Sequence, residues 1–247
     1  MGSDHWATFE GVSSSIHTRS KAEAPREYDL LTSTFSLYSS AIDALPQTGD
    51  GPALIAQGAF LSQALNTIWA MISLAVRGFY IQSLIPLRHT YESWLSFWYL
   101  AKFPDEAMRW LNPTWQMRPP NAETMRNRID HPTKLTKTRL GEFQKELHRF
   151  THLDPVALLS RLESEGEKTV IRVGVKFDIP SLRACTYGIL LWLGNLLDAM
   201  SSLVPQNHQW HTAHAEATEA ILRFIDDYNA ETGGLELPES ESEDDAS

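Results

Sequence analysis

The chain has 247 residues, 43% of them hydrophobic and 10% aromatic, which is enough apolar material for one large packed domain. A single cysteine, Cys185, excludes an internal disulfide and points to a reducing, cytoplasmic setting. The formal net charge of −10 is concentrated at the C-terminal end, with nine acidic residues and no Lys or Arg after Arg223, whereas residues 109–149 carry nine Lys or Arg against four Asp or Glu and form a basic middle.

Residues 1–25 are rich in Ser, Ala, Gly and His with little apolar periodicity, so a flexible N-terminal arm is expected. The start lacks a basic segment leading into an apolar one, as a secretory signal requires. From Arg26 the series Tyr28, Leu31, Phe35, Tyr38, Ile42, Leu45 steps by three or four residues and predicts an amphipathic helix over 26–45, which PQTGDGP then stops. A second helix is predicted over 52–76. The stretch Gly51 to Val76 holds 26 positions without a charge, as long as a membrane span needs. Gln57, Ser62, Gln63, Asn66, Thr67 and Ser73 interrupt it, however, and polar groups are costly in a bilayer. It therefore reads as the central helix of a bundle, with no membrane association expected.

Gly78 breaks that helix before a third one, in which Arg88 and Glu92 are the only formal charges between positions 78 and 101. Residues four apart share a helix face. The aromatic and aliphatic side chains around them predict a pair that is at least partly buried, serving as an internal polar clamp or as a site. Pro86 should kink the helix just before it. PDEAMRWL reads as a short fourth helix, with Pro104, Asp105 and Glu106 suited to its first turn and NPTWQMRPP ending it. Another short helix is predicted over 121–131, then a polar one over 136–152 with apolar positions Leu140, Phe143, Leu147 and Phe150.

KTVIRVGVKFDIP, β-branched around Gly174, is the strand candidate, a small hairpin near 168–178. Ser181 is expected to cap a long apolar helix reaching about Leu203, Pro205 to break it, and 208–231 to form a last amphipathic helix through Ala217, Ile221, Phe224, Ile225 and Tyr228. The expected architecture is an all-α bundle of six to eight helices in one domain over 26–232, followed by a disordered acidic tail over 233–247. Strand-helix alternation is absent, which argues against sheet-based nucleotide-binding folds.

His148 and His152 have the spacing by which two imidazoles reach one metal. A third ligand would have to come from elsewhere, Glu92 being the best donor, and neither Glu-x-x-His nor His-Glu-x-x-His occurs, so neither a metal nor a cofactor is expected. His208, His211 and His214 step by three and rotate round a helix, as a histidine-rich surface does. Cys185 is flanked by apolar residues, and Gly-x-Ser-x-Gly and phosphate-cradling glycine loops are missing, which sets aside the nucleophile and nucleotide enzymes of those kinds.

Arg126-Asn127-Arg128-Ile129-Asp130-His131 resembles the Arg-x4-6-His motif of HEPN domains, helical bundles that often act as metal-independent ribonucleases. The resemblance implies cleavage at a 2'-hydroxyl, with Arg126 stabilising phosphate charge and His131 moving a proton. Pro132 after the histidine and the mid-chain position depart from that family. Residues from about 50 to 205 resemble a widespread group of all-helical bacterial proteins with domains of unknown function, the matching positions being Arg88, Glu92, the PDEA segment at 104–107 and His152. That resemblance implies an α-bundle and no known activity; if these three side chains meet, they form a clamp between helices or an acid-base site.

The expected function is a helical interaction or regulatory module, in a defence or stress system, that forms a homodimer through surplus aromatic surface. The alternative is a HEPN-like ribonuclease or RNA-binding protein. On that view Arg118, Arg126, Arg128, Lys134 and Lys137 meet phosphates, Trp110 and Trp115 stack bases, and the acidic tail competes in cis.

Overall fold

The computed structural model describes residues 5–45, 51–112, 118–129, 162–165, 168–171, 175–206 and 208–233. Its helices are α1 (His5–Glu23), α2 (Pro25–Ala44), α3 (Pro52–Ala75), α4 (Tyr80–Leu84), α5 (Leu87–Lys102), α6 (Met108–Leu111), α7 (Ala122–Ile129), α8 (Ile179–Ser201) and α9 (Trp210–Thr232), with a 3-10 turn at Pro104–Glu106 and two short strands, β1 (Leu162–Glu165) and β2 (Lys168–Ile171). The fold is all-α and multi-helical, as expected.

Local chemistry fixes most boundaries. Pro25, Pro52 and Pro180 lie in the first turns of α2, α3 and α8, where a missing N–H costs nothing. Gly78 has φ +85°, and a Cβ there would sit 2.5 Å from the Lys176 carbonyl oxygen and 3.2 Å from the Ile16 side chain, so only glycine lets the chain turn back along α3. Pro86 does more than kink: it separates α4 from α5, and α5 resumes with Thr90 N–H donating to the Pro86 carbonyl at 3.1 Å. The cap of α8 is Asp178 rather than Ser181, whose N–H donates to the Asp178 carboxylate at 2.9 Å.

The centre is built by α3, α5 and α8, with α2 and α9 packed round α8. Leu61, Ile68 and Met71 from α3, Leu95, Phe97 and Leu100 from α5, and Leu182, Ile189, Leu193 and Leu196 from α8 are essentially without exposed surface. Each such side chain contributes roughly 1.5–3 kcal/mol relative to exposure. Phe224 and Ile221 close α9 onto this core, and Trp210 Nε1–H donates to the Leu37 carbonyl at 3.0 Å, tying α9 to α2. Arg183 of α8 joins the same two helices, 3.1 Å from Glu27 of α2 and paired with Glu231 of α9.

Two expectations are corrected. The N-terminal arm is helical from His5 to Glu23 and docks through Ser13, Ile16 and Ser20, all buried, with Ser20 Oγ donating to the Val76 carbonyl at 2.9 Å. Its buried stripe is two serines flanking Ile16, one of them bonded to backbone, which an apolar pattern does not reveal. The hairpin is not centred on Gly174: Leu162↔Ile171 to Glu165↔Lys168 pair antiparallel, and residues 175–178 have no regular structure. Of the acidic tail, only Gly233 is described; it adopts φ +81° as the C-cap of α9.

A cleft between α5 and α7

Along α5, Arg88, Glu92, Ser96 and Tyr99 follow one another at steps of four, four and three, so they form one polar stripe along a helix whose other residues are mostly apolar or aromatic. The stripe faces α7 and the turn Pro104–Glu106 beneath it. Its upper half borders an open cleft of about 440 Å³, floored by Trp110 and Met125 and walled by Pro120, Asn121 and Glu123. Asn121 shapes that wall by accepting the Thr124 N–H at 2.8 Å, which caps α7. Trp110 is wedged by an edge contact with Phe60 at 5.9 Å and a tilted contact with Tyr99 at 5.8 Å.

Arg88 Nε donates to Glu92 Oε1 at 2.9 Å, and both side chains are 36% exposed. The pair is therefore formed, but on the rim of the cleft and half in water rather than sealed. Ser96 Oγ, below it, points its hydroxyl to the Met125 sulfur at 3.8 Å.

The lower half of the stripe ends in a hub. Tyr99, without exposed surface, donates its hydroxyl to Glu106 Oε2 at 2.7 Å; Arg128 of α7 donates to Glu106 Oε1 at 2.5 Å and to the Tyr99 oxygen; Arg109 Nε lies 3.1 Å from Glu106 Oε2. Burial works against ionisation of Glu106, but the Tyr99 hydroxyl, Arg128 and Arg109 outweigh it and hold the carboxyl below its usual range. Burial, reinforced by the neighbouring carboxylate, pushes Tyr99 up to about 12. The Arg128 guanidinium also lies over the Phe103 ring at 4.2 Å, and Lys102 Nζ donates to the carbonyls of Arg128 and Ile129, the last residues of α7.

The residues singled out from sequence thus divide. Arg88 and Glu92 meet each other, whereas His152 and His148 lie outside the described residues, as do His131, Lys134 and Lys137. Arg126 is half-buried on α7 with an Nε that has no hydrogen-bond partner among the described residues. Arg128 is spent on the hub, and the Arg118 carbonyl accepts from Arg109 at 3.3 Å. The Tyr99–Glu106–Arg128 hub was not anticipated; the three-residue step from Glu106 to Arg109 was its one local signal.

The later histidines are not a plain surface face. His208 Nδ1 accepts the Trp210 N–H at 3.1 Å, His211 Nε2 is 3.1 Å from the Pro205 carbonyl, and His214 stacks on Trp210 at 4.8 Å. They organise the turn before α9. Burial, the largest influence, lowers the pKa of His214. Among the described residues, no three His, Cys, Asp or Glu side chains cluster as a metal site. No family model, curated protein or solved structure matches the chain, which leaves its own geometry as the ground for a functional reading.

Proposed function

We propose that the chain is a helical interaction module of a regulatory system, such as a defence or stress response, and that the α5–α7 cleft takes a short segment of a protein partner. The observation that carries this reading is the half-exposed Arg88–Glu92 pair above an apolar floor of Trp110 and Met125. A surface pair of this kind is held together by about 0.2–1 kcal/mol, so the Arg88–Glu92 bond itself sets little cost against the Glu92 carboxylate meeting a partner's polar groups. The aromatic and thioether floor supplies the apolar contact that gives such sites affinity. The hub speaks against a free phosphate-binding patch, because Arg109 and Arg128 already share Glu106.

A selection of random displayed peptides against the whole chain tests this. Selected peptides are expected to lose at least tenfold in affinity on Arg88→Ala or Glu92→Gln, with thermal unfolding little changed. Peptides indifferent to both substitutions refute the cleft as the binding site.

The second reading, a HEPN-like ribonuclease or RNA binder, is favoured by one detail, the unsatisfied Arg126 Nε on the helix that carries the matching arginine. It requires RNA binding that weakens steeply between about 50 and 200 mM salt and strengthens when residues 234–247 are removed. RNA cleavage lost in Arg126→Ala, with folding retained, would establish it over the module.

A further inference from the structure

The solvent face of α3 differs from every other long helix face in the described chain. From Gly51 to Val76 there is no formal charge, yet only 33% of the helix's most apolar window is buried. One strip of this face follows steps of four, three, four, three and four: Ile55, Ala59, Ser62, Asn66 and Trp69, all exposed, and then Ser73, partly buried; Gln63 is exposed beside it. Ile55 is 53% exposed and Trp69 59%. None of the six lines the α5–α7 cleft, so a role for this face is independent of the role given to that cleft.

Large and small side chains on this strip are placed in a way that complements itself. Reversing it end for end about position 64 sets Ile55 opposite Ser73, Ala59 opposite Trp69, and Ser62 opposite Asn66. Each large group meets a small one, and the central two can hydrogen-bond. Gly58, next to Ala59, adds room for an indole, since a Cβ there would meet nothing within 4 Å. An antiparallel two-fold contact has this property, residue i meeting j while j meets i. We infer that this face of α3 pairs with the same face of a second copy of the chain, antiparallel, with the two-fold axis passing near position 64.

Two further points select a second copy as the occupant. A strip without charge meets itself without like-charge repulsion, and offers a charged partner nothing to complement. Its area also suits a modest self-association. The 24-residue helix is about 36 Å long, and a strip about 10 Å wide yields roughly 360 Å² per copy. That is under half of the roughly 800 Å² per partner of a stable interface. The result is a weak dimer, at the low end of specific interfaces, with Trp69 as its anchor.

The register makes the test specific. In sedimentation velocity on the full chain, Ala59→Glu and Trp69→Lys are each expected to weaken dimerisation at least tenfold, because both residues are exposed in one copy and face each other across the pair. Combining them in one chain places a glutamate opposite a lysine at both ends. That double variant should dimerise more tightly than either single variant, though below the parent because the Trp69 anchor is lost, and should lose the gain as salt rises. Thermal unfolding of the single variants checks that the monomer is intact. A parent chain that stays monomeric at about 1 mM, the weak end of measurable association, overturns the inference. So does a double variant no better than the singles, or a monomer that instead adsorbs to neutral phosphatidylcholine vesicles through Trp69.

Discussion

Tyr99→Phe removes one oxygen from a side chain that has no exposed surface, and leaves its ring packed against Phe103 at 5.0 Å and Trp110 at 5.8 Å. The losses are the hydroxyl's donation to the Glu106 carboxylate at 2.7 Å and its acceptance from Arg128. Hydrogen bonds to charged groups contribute about 1.5–3 kcal/mol, so the substitution should cost about 2 kcal/mol. In a domain of this size each kcal/mol moves Tm by about 2–4 °C, which predicts a drop of about 4–8 °C by circular dichroism. The pH dependence tests the cause as well as the size. Because Glu106 titrates lower in the folded chain than in the unfolded one, the hub's contribution is complete above the unfolded value, about 4.3, and is lost as pH falls through the folded value. Tyr99 runs the other way: with its hydroxyl at about 12, its contribution is complete below the unfolded value, about 10, and is lost as pH rises toward the folded one. Urea titrations of the parent and the variant should therefore stay a constant distance apart from about pH 5 to about pH 9 and converge beyond both ends. A cost under about 0.5 kcal/mol, the ordinary scatter of surface substitutions, or a gap that persists unchanged into acid, would refute the hub.

Gly78→Ala combines a left-handed backbone with a Cβ 2.5 Å from the Lys176 carbonyl oxygen; it should cost at least about 2 kcal/mol, and hydrogen exchange should show α1 released, since Ile16 is the other contact. The Cys185 thiol, 2% exposed and pushed up to about 11 by burial despite its contact with Ser83, stays protonated at neutral pH. Ellman's reagent should therefore find no reactive thiol in the native chain and one per chain in denaturant, whereas rapid native labelling would show that α4 and α8 part readily. Arg183→Ala should destabilise more than Glu231→Ala, because it strands Glu27, whose side chain is 8% exposed, while Glu231 is 55% exposed. Adding Glu27→Gln to the arginine variant should restore part of the loss in a urea titration, and no restoration would place the cost elsewhere.

Where backbone chemistry decides a boundary, the sequence is a sufficient guide. Pro52 opens α3, Gly78 ends the turn after it and Pro86 divides α4 from α5. The helix predicted over 208–231 matches α9 within two residues at either end. Sequence patterns mislead where burial does not follow apolarity. The buried face of α1 is Ser13, Ile16, Ser20, and only the docked partner, with the Val76 carbonyl waiting for a hydroxyl, explains why serines belong there. The hairpin departs from expectation for another reason: the β-branched run predicts a strand, and β2 includes Thr169, Val170 and Ile171, but its partner is LESE, a segment with no strand character that only the pairing selects.

The candidate site shows the same division and leads to a last prediction. Arg88 and Glu92 were legible because a four-residue step on a helix guarantees proximity; their exposure was not, because it depends on how closely α7 approaches α5. The hub was illegible because Arg128 reaches Glu106 from 22 residues away. That contact also decides how the basic middle should be understood, since a count of arginines treats Arg109 and Arg128 as free cations when Glu106 holds both. Glu106→Gln releases them while keeping the shape of the side chain. If the middle segment meets RNA, two more cations become available to phosphates, so single-stranded RNA should bind more tightly to the variant at low salt, with a steeper salt dependence by about 1.4 in the log-log slope. If the hub is a clamp that fixes α7 to α5 and shapes the floor of an interaction cleft, the same variant loses stability and gains no RNA binding. Fluorescence anisotropy of a labelled RNA over a salt series, beside a thermal melt of the same sample, separates the two, because charge release and loss of a clamp move these readouts in different combinations.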